Sequence, residues 1–259
     1  MDVKQAVLAL SVTALAGQAM AQGNAAQNVL MLGAGLSYSA EYDGADKKRA
    51  KPLVFFDYQH ASGFFASMMR GFGYRHQLDA WQLSAAIGYA PGREDERGGA
   101  FSRGSDDLRG MGDIPGSAQL ILGAVYDFGA LKTGLRFQQP LSQRETGRSL
   151  HLNLSGTLYR DQEQQVELEW KTAWGSAEHA QTWYGVTPQQ SAASGYRAYR
   201  PGSGLEAMEL QVNWTRMLSA PWSLRISGGV QHLLGDAASS PLVRNKSNPK
   251  FMAAVNYRF

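Results

Sequence analysis

The chain has 259 residues, no cysteine, 29 glycines, 10% aromatic residues and a formal net charge of only +3. The lack of cysteine excludes disulfides as a source of stability, and a small, dispersed positive charge excludes an electrostatic nucleic-acid footprint. Mean hydropathy is −0.32, and after the first residues no run approaches the length of a helical membrane span, so helical spans are excluded as well.

In chain order, the first segment is a leader pattern. Lys4 precedes an apolar run from Ala6 to Gly17, and Ala19-Met20-Ala21 follows as an A-x-A cleavage site. Residues 1–21 therefore read as a cleaved secretory signal peptide, and residues 22–259 as one exported domain. Three strand-like segments come next, near residues 29–40, 51–60 and 63–76. The third, "GFFASMMRGFGYRHQ", is long enough to hide a reversal near Arg70-Gly71.

From there a period of two recurs, which is the signature of strands with one apolar face. "WQLSAAIGY" sets Trp81, Leu83, Ala85, Ile87 and Tyr89 against Gln82, Ser84 and Gly88. "LHLNLSGTLY" sets Leu150, Leu152, Leu154 and Leu158 against His151, Asn153, Ser155 and Thr157. "VELEWKTAW" sets Val166, Leu168, Trp170 and Trp174 against Glu167, Glu169 and Lys171. "ELQVNWT" and "WSLRISGGVQ" repeat the pattern, the latter with Arg225 on its polar face. The closing "KFMAAVNYRF" sets Phe251, Ala253, Val255, Tyr257 and Phe259 against Met252, Ala254, Asn256 and Arg258.

A soluble sandwich also alternates, but two features favour a membrane wall. The apolar faces end in aromatics, as interfacial girdles require, and the segments run longer than ordinary strands. Short turns near residues 78–80, 129–130, 161–164 and 219–221 alternate with long polar stretches at 91–117, 142–149, 175–204 and 235–249. The expected fold is all-β: a transmembrane antiparallel barrel of about twelve strands, with ten as the alternative, in the outer membrane. Phe251, Val255, Tyr257 and Phe259 would face lipid on the closing strand. Glu167, Glu169, Lys171, Arg225, Asn256 and Arg258 would face the lumen. A strand ending in Phe also resembles the signal that outer-membrane barrels present to their insertion machinery.

Site candidates lie in the loops. Tyr184, Tyr196, Tyr199 and Arg200 form a surface of the type rich in binding hot spots, and the bland alternative is a loop folded over the barrel mouth. Asp236 and Pro241 follow a strand end, where such residues also shape turns. Asp106, Asp107 and Asp113 lack the full ligand loop of a calcium site, so no metal is expected. His60, His76, His151, His179 and His232 sit in no nucleophile motif, and neither catalysis nor a cofactor is expected.

Several stretches resemble one family. "WYGVTPQQSAASGYRAYRPGSG" (Trp183 to Gly204) and "LLGDAASSPLV" (Leu233 to Val243) look like the C-terminal half of the MipA/OmpV family. "GREDERGGAFSRGSDDLRGMGDI" and "EYDGADKKRAKPLVFFDY" resemble its earlier loops. Trp183 stands where the family usually has a second Tyr, and Ala40-Glu41 lacks the usual Pro. The resemblance implies an outer-membrane scaffold for murein synthesis, whose partners are a lytic transglycosylase and a murein polymerase. A narrow channel lined by the lumen residues, or an adhesin acting through the outer loops, are the alternatives.

Overall fold

The computed structural model describes residues 28–99, 102 and 104–259. The predicted signal peptide lies outside these residues. Twelve strands close into one antiparallel barrel in which each pairs with its neighbours in the sequence, and the last pairs with the first. They are β1 (Val29–Ala40), β2 (Lys48–Gln59), β3 (Phe64–Ser67), β4 (Gly71–Leu78), β5 (Trp81–Ala90), β6 (Ser117–Asp127), β7 (Leu131–Pro140), β8 (Ser149–Arg160), β9 (Gln164–Gly175), β10 (Gly204–Met217), β11 (Trp222–Leu233) and β12 (Ser247–Arg258).

The count settles the choice between ten and twelve. The reversal hidden in "GFFASMMRGFGYRHQ" is real, because β3 turns back into β4 through residues 68–70. Closure is tight: Met31 opposes Arg258 and Tyr38 opposes Phe251, so neither terminal strand keeps a free edge against the other.

Alternation decides which side of the wall each residue occupies. On β12, Val255 is 40% exposed on the outer surface while Asn256 is 3% exposed inside. Edge-to-face aromatic groups mark one end of the wall. Trp81, Tyr126 and Phe128 stack with centroids 4.8 and 4.5 Å apart, and Trp222, Tyr257 and Phe259 repeat the same spacing. Two register shifts break the rhythm, one of them between Leu205 and Ala207 on β10. Between Thr157 and Tyr159 the β8–β9 register shifts, so both Leu158 and Tyr159 lie exposed.

Short turns occupy the end that carries the aromatic trios, and the five long loops occupy the other. The fourth loop holds two helices that alternation does not reveal: α1 (Ala177–Tyr184) and α2 (Pro188–Ser194). Ser176 caps α1 by accepting from the His179 amide. Thr187 and Gln190 form a capping box on α2, with Pro188 in its first turn. The fifth loop carries the short α3 (Gly235–Ala238).

Candidate functional site

The long loops are polar in sequence, yet four of the five contribute apolar side chains that have no place in the wall. Burying them together is favourable, and the structure does so. Tyr42 and Ala45 of the first loop, Leu108 and Met111 of the second, Val186 of the fourth and Leu242 of the fifth form one buried core. Loops that spring from all around the rim meet on this core, so they converge over the barrel mouth as a cap.

Hydrogen bonds fix the cap's register. The Tyr42 hydroxyl donates to the Leu242 carbonyl (3.0 Å) and Ser105 donates to the Glu41 carboxylate (2.6 Å). The Gln190 amide donates to the Met111 carbonyl (2.7 Å), and Ser240 donates to the Tyr184 carbonyl (2.6 Å). Lys47 pairs with Asp107 at 2.7 Å. The third loop joins through the Ser176 amide, which donates to the Arg148 carbonyl (3.0 Å). Burial pushes the phenols of Tyr42 and Tyr184 well above their usual range.

The tyrosines singled out in the sequence are structural parts of this cap. Tyr184 is 5% exposed and packs with Ala207, Leu233 and Ala237. Tyr196 and Tyr199 lean on the main core, and their hydroxyls donate to the carbonyls of Asp107 (2.7 Å) and Asp236 (2.9 Å). The Asp236 carboxylate accepts from the Gly202 amide at 2.7 Å, and Pro241 sits half-buried between Ser240 and Leu242. Arg200 is exposed, as is its neighbour Arg197, whose guanidinium lies over the Tyr199 ring. Asp107 is held by Lys47, Asp106 accepts from the Arg97 amide, and Asp113 accepts from the Asp95 amide.

Under the cap lies a cavity of about 220 Å³ lined by Ser39, Tyr42, Lys51, Arg93, Trp183 and Lys250, among others. Arg93 was not foreseen. It is 6% exposed, donates to the Trp183 carbonyl at 3.1 Å, and its Nε has no hydrogen-bond partner among the described residues. Burial lowers the pKa of its guanidinium, which for arginine still leaves it charged. A charged residue in a long polar loop gives no sequence signal that it will be folded under.

Below the cavity, the predicted lumen residues separate into a network and its flanks. Lys171 bridges Glu169 (3.1 Å) and Glu209 (3.3 Å), and Lys250 reaches the other oxygen of Glu209 at 2.9 Å. Asn213 links Glu169 to Ser227. Arg225 lies within electrostatic reach of Glu167 and Glu169. Asn256 donates to Ser223 at 3.3 Å, and Arg258 sits half-buried towards the short-turn end. On the outer surface of the same strand, Phe251, Val255 and Phe259 are exposed and Tyr257 is half-covered by its aromatic neighbours. The ion pairs run along the wall of β9, β10 and β12, and Lys171 keeps 37% of its side chain exposed towards the interior.

A family model described as MltA-interacting protein MipA matches residues 32–259. Solved structures similar to this chain include the KdgM porin (9% identity, TM-score 0.46, 88% of this chain and 99% of that one). The NanC porin is similar at 10% identity and TM-score 0.48, over 88% and 98% of the two chains. An outer membrane channel from Pseudomonas putida F1 is similar at 12% identity and TM-score 0.44, over 90% and 96%. No curated protein matches the sequence.

Proposed function

We propose that this chain, which belongs to the MltA-interacting protein MipA family, is an outer-membrane barrel that serves as a non-enzymatic scaffold for a murein-cleaving lytic transglycosylase and a murein polymerase. The observation that carries the reading is the family match across the whole barrel. The interlocked cap supports it over an open pore, because a mouth closed by a packed core is poorly suited to bulk diffusion. The charged lumen favours the second reading, a narrow channel.

Geometry restricts how a scaffold would work. The long loops form the cap at one end, and the opposite end offers short turns such as residues 161–163 and 218–221. With the cap outside the cell, a periplasmic enzyme meets those turns, which present far less than the roughly 800 Å² per partner of a stable interface. Docking is therefore weak and aided by co-localisation.

Single cysteines test this. Gln162, exposed at a turn tip, and Arg200, exposed on the cap, are suitable positions. An impermeant reagent should label Arg200→Cys and not Gln162→Cys in intact cells. A photocrosslinker on Gln162→Cys should capture a murein enzyme, whereas one on Arg200→Cys should not. Capture only from the cap position would refute the scaffold topology. Large, steady conductance in planar bilayers would favour the channel.

A further inference from the structure

The wall is continuous except at one place. β3 has four residues, and it pairs with β2 only from Asp57 to Gln59. One more bond follows, as the Phe56 carbonyl accepts from the Met68 amide at 3.2 Å. Above it, among the described residues, no strand pairs with the stretch of β2 from Lys48 to Phe55 on that side. Across the gap, β5 loses its β4 partner after Ile87. The Arg49 guanidinium closes the top by donating to the Ser102 carbonyl of the second loop at 2.6 Å. The result is a window in the wall, with the β3–β4 hairpin as its sill.

Sequence and chemistry agree that the window is built in. Phe56 turns its carbonyl to the β3 side, so by the period of two Val54, Pro52 and Ala50 turn their backbones the same way. Pro52 has no amide hydrogen to donate, and proline is accepted in a strand only where that position needs no partner. Its place in mid-strand marks the edge as unpaired by design, and it also disfavours a second chain adding a strand there.

The depth of the window is read from its rim. Val54, Met68, Met69, Phe72 and Tyr89 are all exposed. Such a rim belongs in hydrocarbon, where a bare strand edge is tolerated only if it lines a cavity or is covered.

The interior behind the window differs from the rest of the lumen. Phe65, Ala86 and Ile121 form a buried apolar cluster inside the barrel, and the Arg70 guanidinium, paired with Asp57 at 2.6 Å, covers the Phe65 ring. Leu53 and Phe55 share the inward face of β2, with the Phe55 ring packed against Gly33. Two residues above Leu53, Lys51 enters the lining of the capped cavity with Arg93 and Lys250. Of the two carboxylates in that lining, Glu41 already accepts from Ser105, and Asp43 lies within electrostatic reach of Arg93 without forming an ion pair with it. The cavity is smaller than the ~300–1,000 Å³ of a site for a whole drug-sized ligand, and suits a head group.

We propose that the window between β2 and β5 is a lateral portal: a single-chain amphiphile with an anionic head passes through it from the outer leaflet. Its chain rests on Leu53 and Phe55, and its head lies in the capped cavity at Arg93. The proposal depends on the wall and the cap, and stands or falls apart from any murein partner.

A stearate carrying a nitroxide near its carboxylate serves as the probe, with the protein in phosphatidylcholine nanodiscs. A bimane on Ser39→Cys, in the cavity wall, should be quenched saturably and recover when unlabelled stearate is added in excess. A bimane on Ala253→Cys, on the outer surface away from the window, should show only shallow quenching that excess stearate does not reverse. Leu53→Arg, and the milder Leu53→Gln, should weaken the saturable phase at least tenfold in apparent affinity while gel migration stays heat-modifiable. Quenching at Ser39→Cys that neither saturates nor reverses would overturn the portal. So would spontaneous disulfide dimers of Ala50→Cys in membranes, which would show the edge occupied by a second copy.

Discussion

A charge moved stepwise along the outer face of β12 tests the wall most directly. Val255 pairs with Ala34 and Leu224 and is the central outward position of the apolar band that runs from Phe251 to Phe259. Ala253 pairs with Leu36 and Ile226, one outward position away on the Phe251 side. An arginine on the lipid face costs about 2–4 kcal/mol at the midplane and falls towards zero at the interface. Val255→Arg should therefore cost an amount within that range, and Ala253→Arg no more than that. At about 1.4 kcal/mol per factor of ten, the folded-to-unfolded ratio for Val255→Arg drops by roughly 30-fold to several hundred-fold. The inward control has to be chosen with care. Asn256 is unsuitable, although alternation alone makes it the natural choice: it is packed against Ser223 and the Gly33 backbone, where a larger side chain would clash. Met252 is better, since it points inward opposite Ser37 and Ser227, and Ser227 belongs to the Glu169 network. Met252→Arg should be close to neutral. Urea unfolding from lipid vesicles, followed by loss of heat-modifiable migration, measures all three variants. Equal destabilisation by Met252→Arg and Val255→Arg would refute the assignment of faces.

Two pH dependences follow from the loops and turns. The Tyr159 hydroxyl (2.8 Å) and the amides of Glu163 and Gln164 (both 2.8 Å) donate to the Asp161 carboxylate and lower its pKa to about 2. A depressed carboxylate stabilises the fold above its unfolded pKa, near 4, and loses that benefit as pH falls towards 2. The gap in urea midpoint between the native chain and Asp161→Asn should thus be constant at neutral pH and vanish in strong acid. In the cap, Tyr42 and Tyr184 have raised pKa values from burial, so their stabilising contribution is complete below about pH 10 and is lost as pH climbs through the higher folded values. Ultraviolet titration should show these two phenols ionising last, together with loss of near-ultraviolet dichroism. Tyr42→Phe should abolish one of the late ionisations.

The wall was legible because most strands from β5 onward keep one face apolar and the other polar, and lipid on one side enforces that rule; β6, with Ile121 inside and Leu120 and Leu122 outside, is the exception. Legibility fails where the rule is relaxed. In "FFASMM" both faces are apolar, since Phe65 packs inside the barrel and Phe64 outside, so periodicity could not place the end of β3. At Thr157–Tyr159 the bulge adds a residue and brings Tyr159 out beside Leu158. The helices α1 and α2 could have been found from their caps, Ser176 three residues before His179 and the Thr187–Gln190 box, but not from alternation. The cap core had no local signal at all. The Tyr42 hydroxyl and the Leu242 carbonyl, which meet at 3.0 Å, are separated by 200 positions, and each residue lies in a loop with no periodic pattern.

Pro52 shows what a contradictory residue can mean. In a strand paired on both sides, a central proline sacrifices a ladder bond and argues against the strand itself. Here β2 pairs with β1 along its whole length from Lys48 to Gln59, so the strand is real. The conflict disappears only if the other side of β2 is unpaired at that point, and β3 ends before reaching it. A local break in the pattern thus located a gap in the wall, and the four-residue strand beside it confirms that gap from the opposite side. Where a sequence departs from a rule it otherwise keeps, the departure is the place to look for function. In this barrel it falls on the strand that also carries Lys51 into the lining of a capped cavity with a buried arginine.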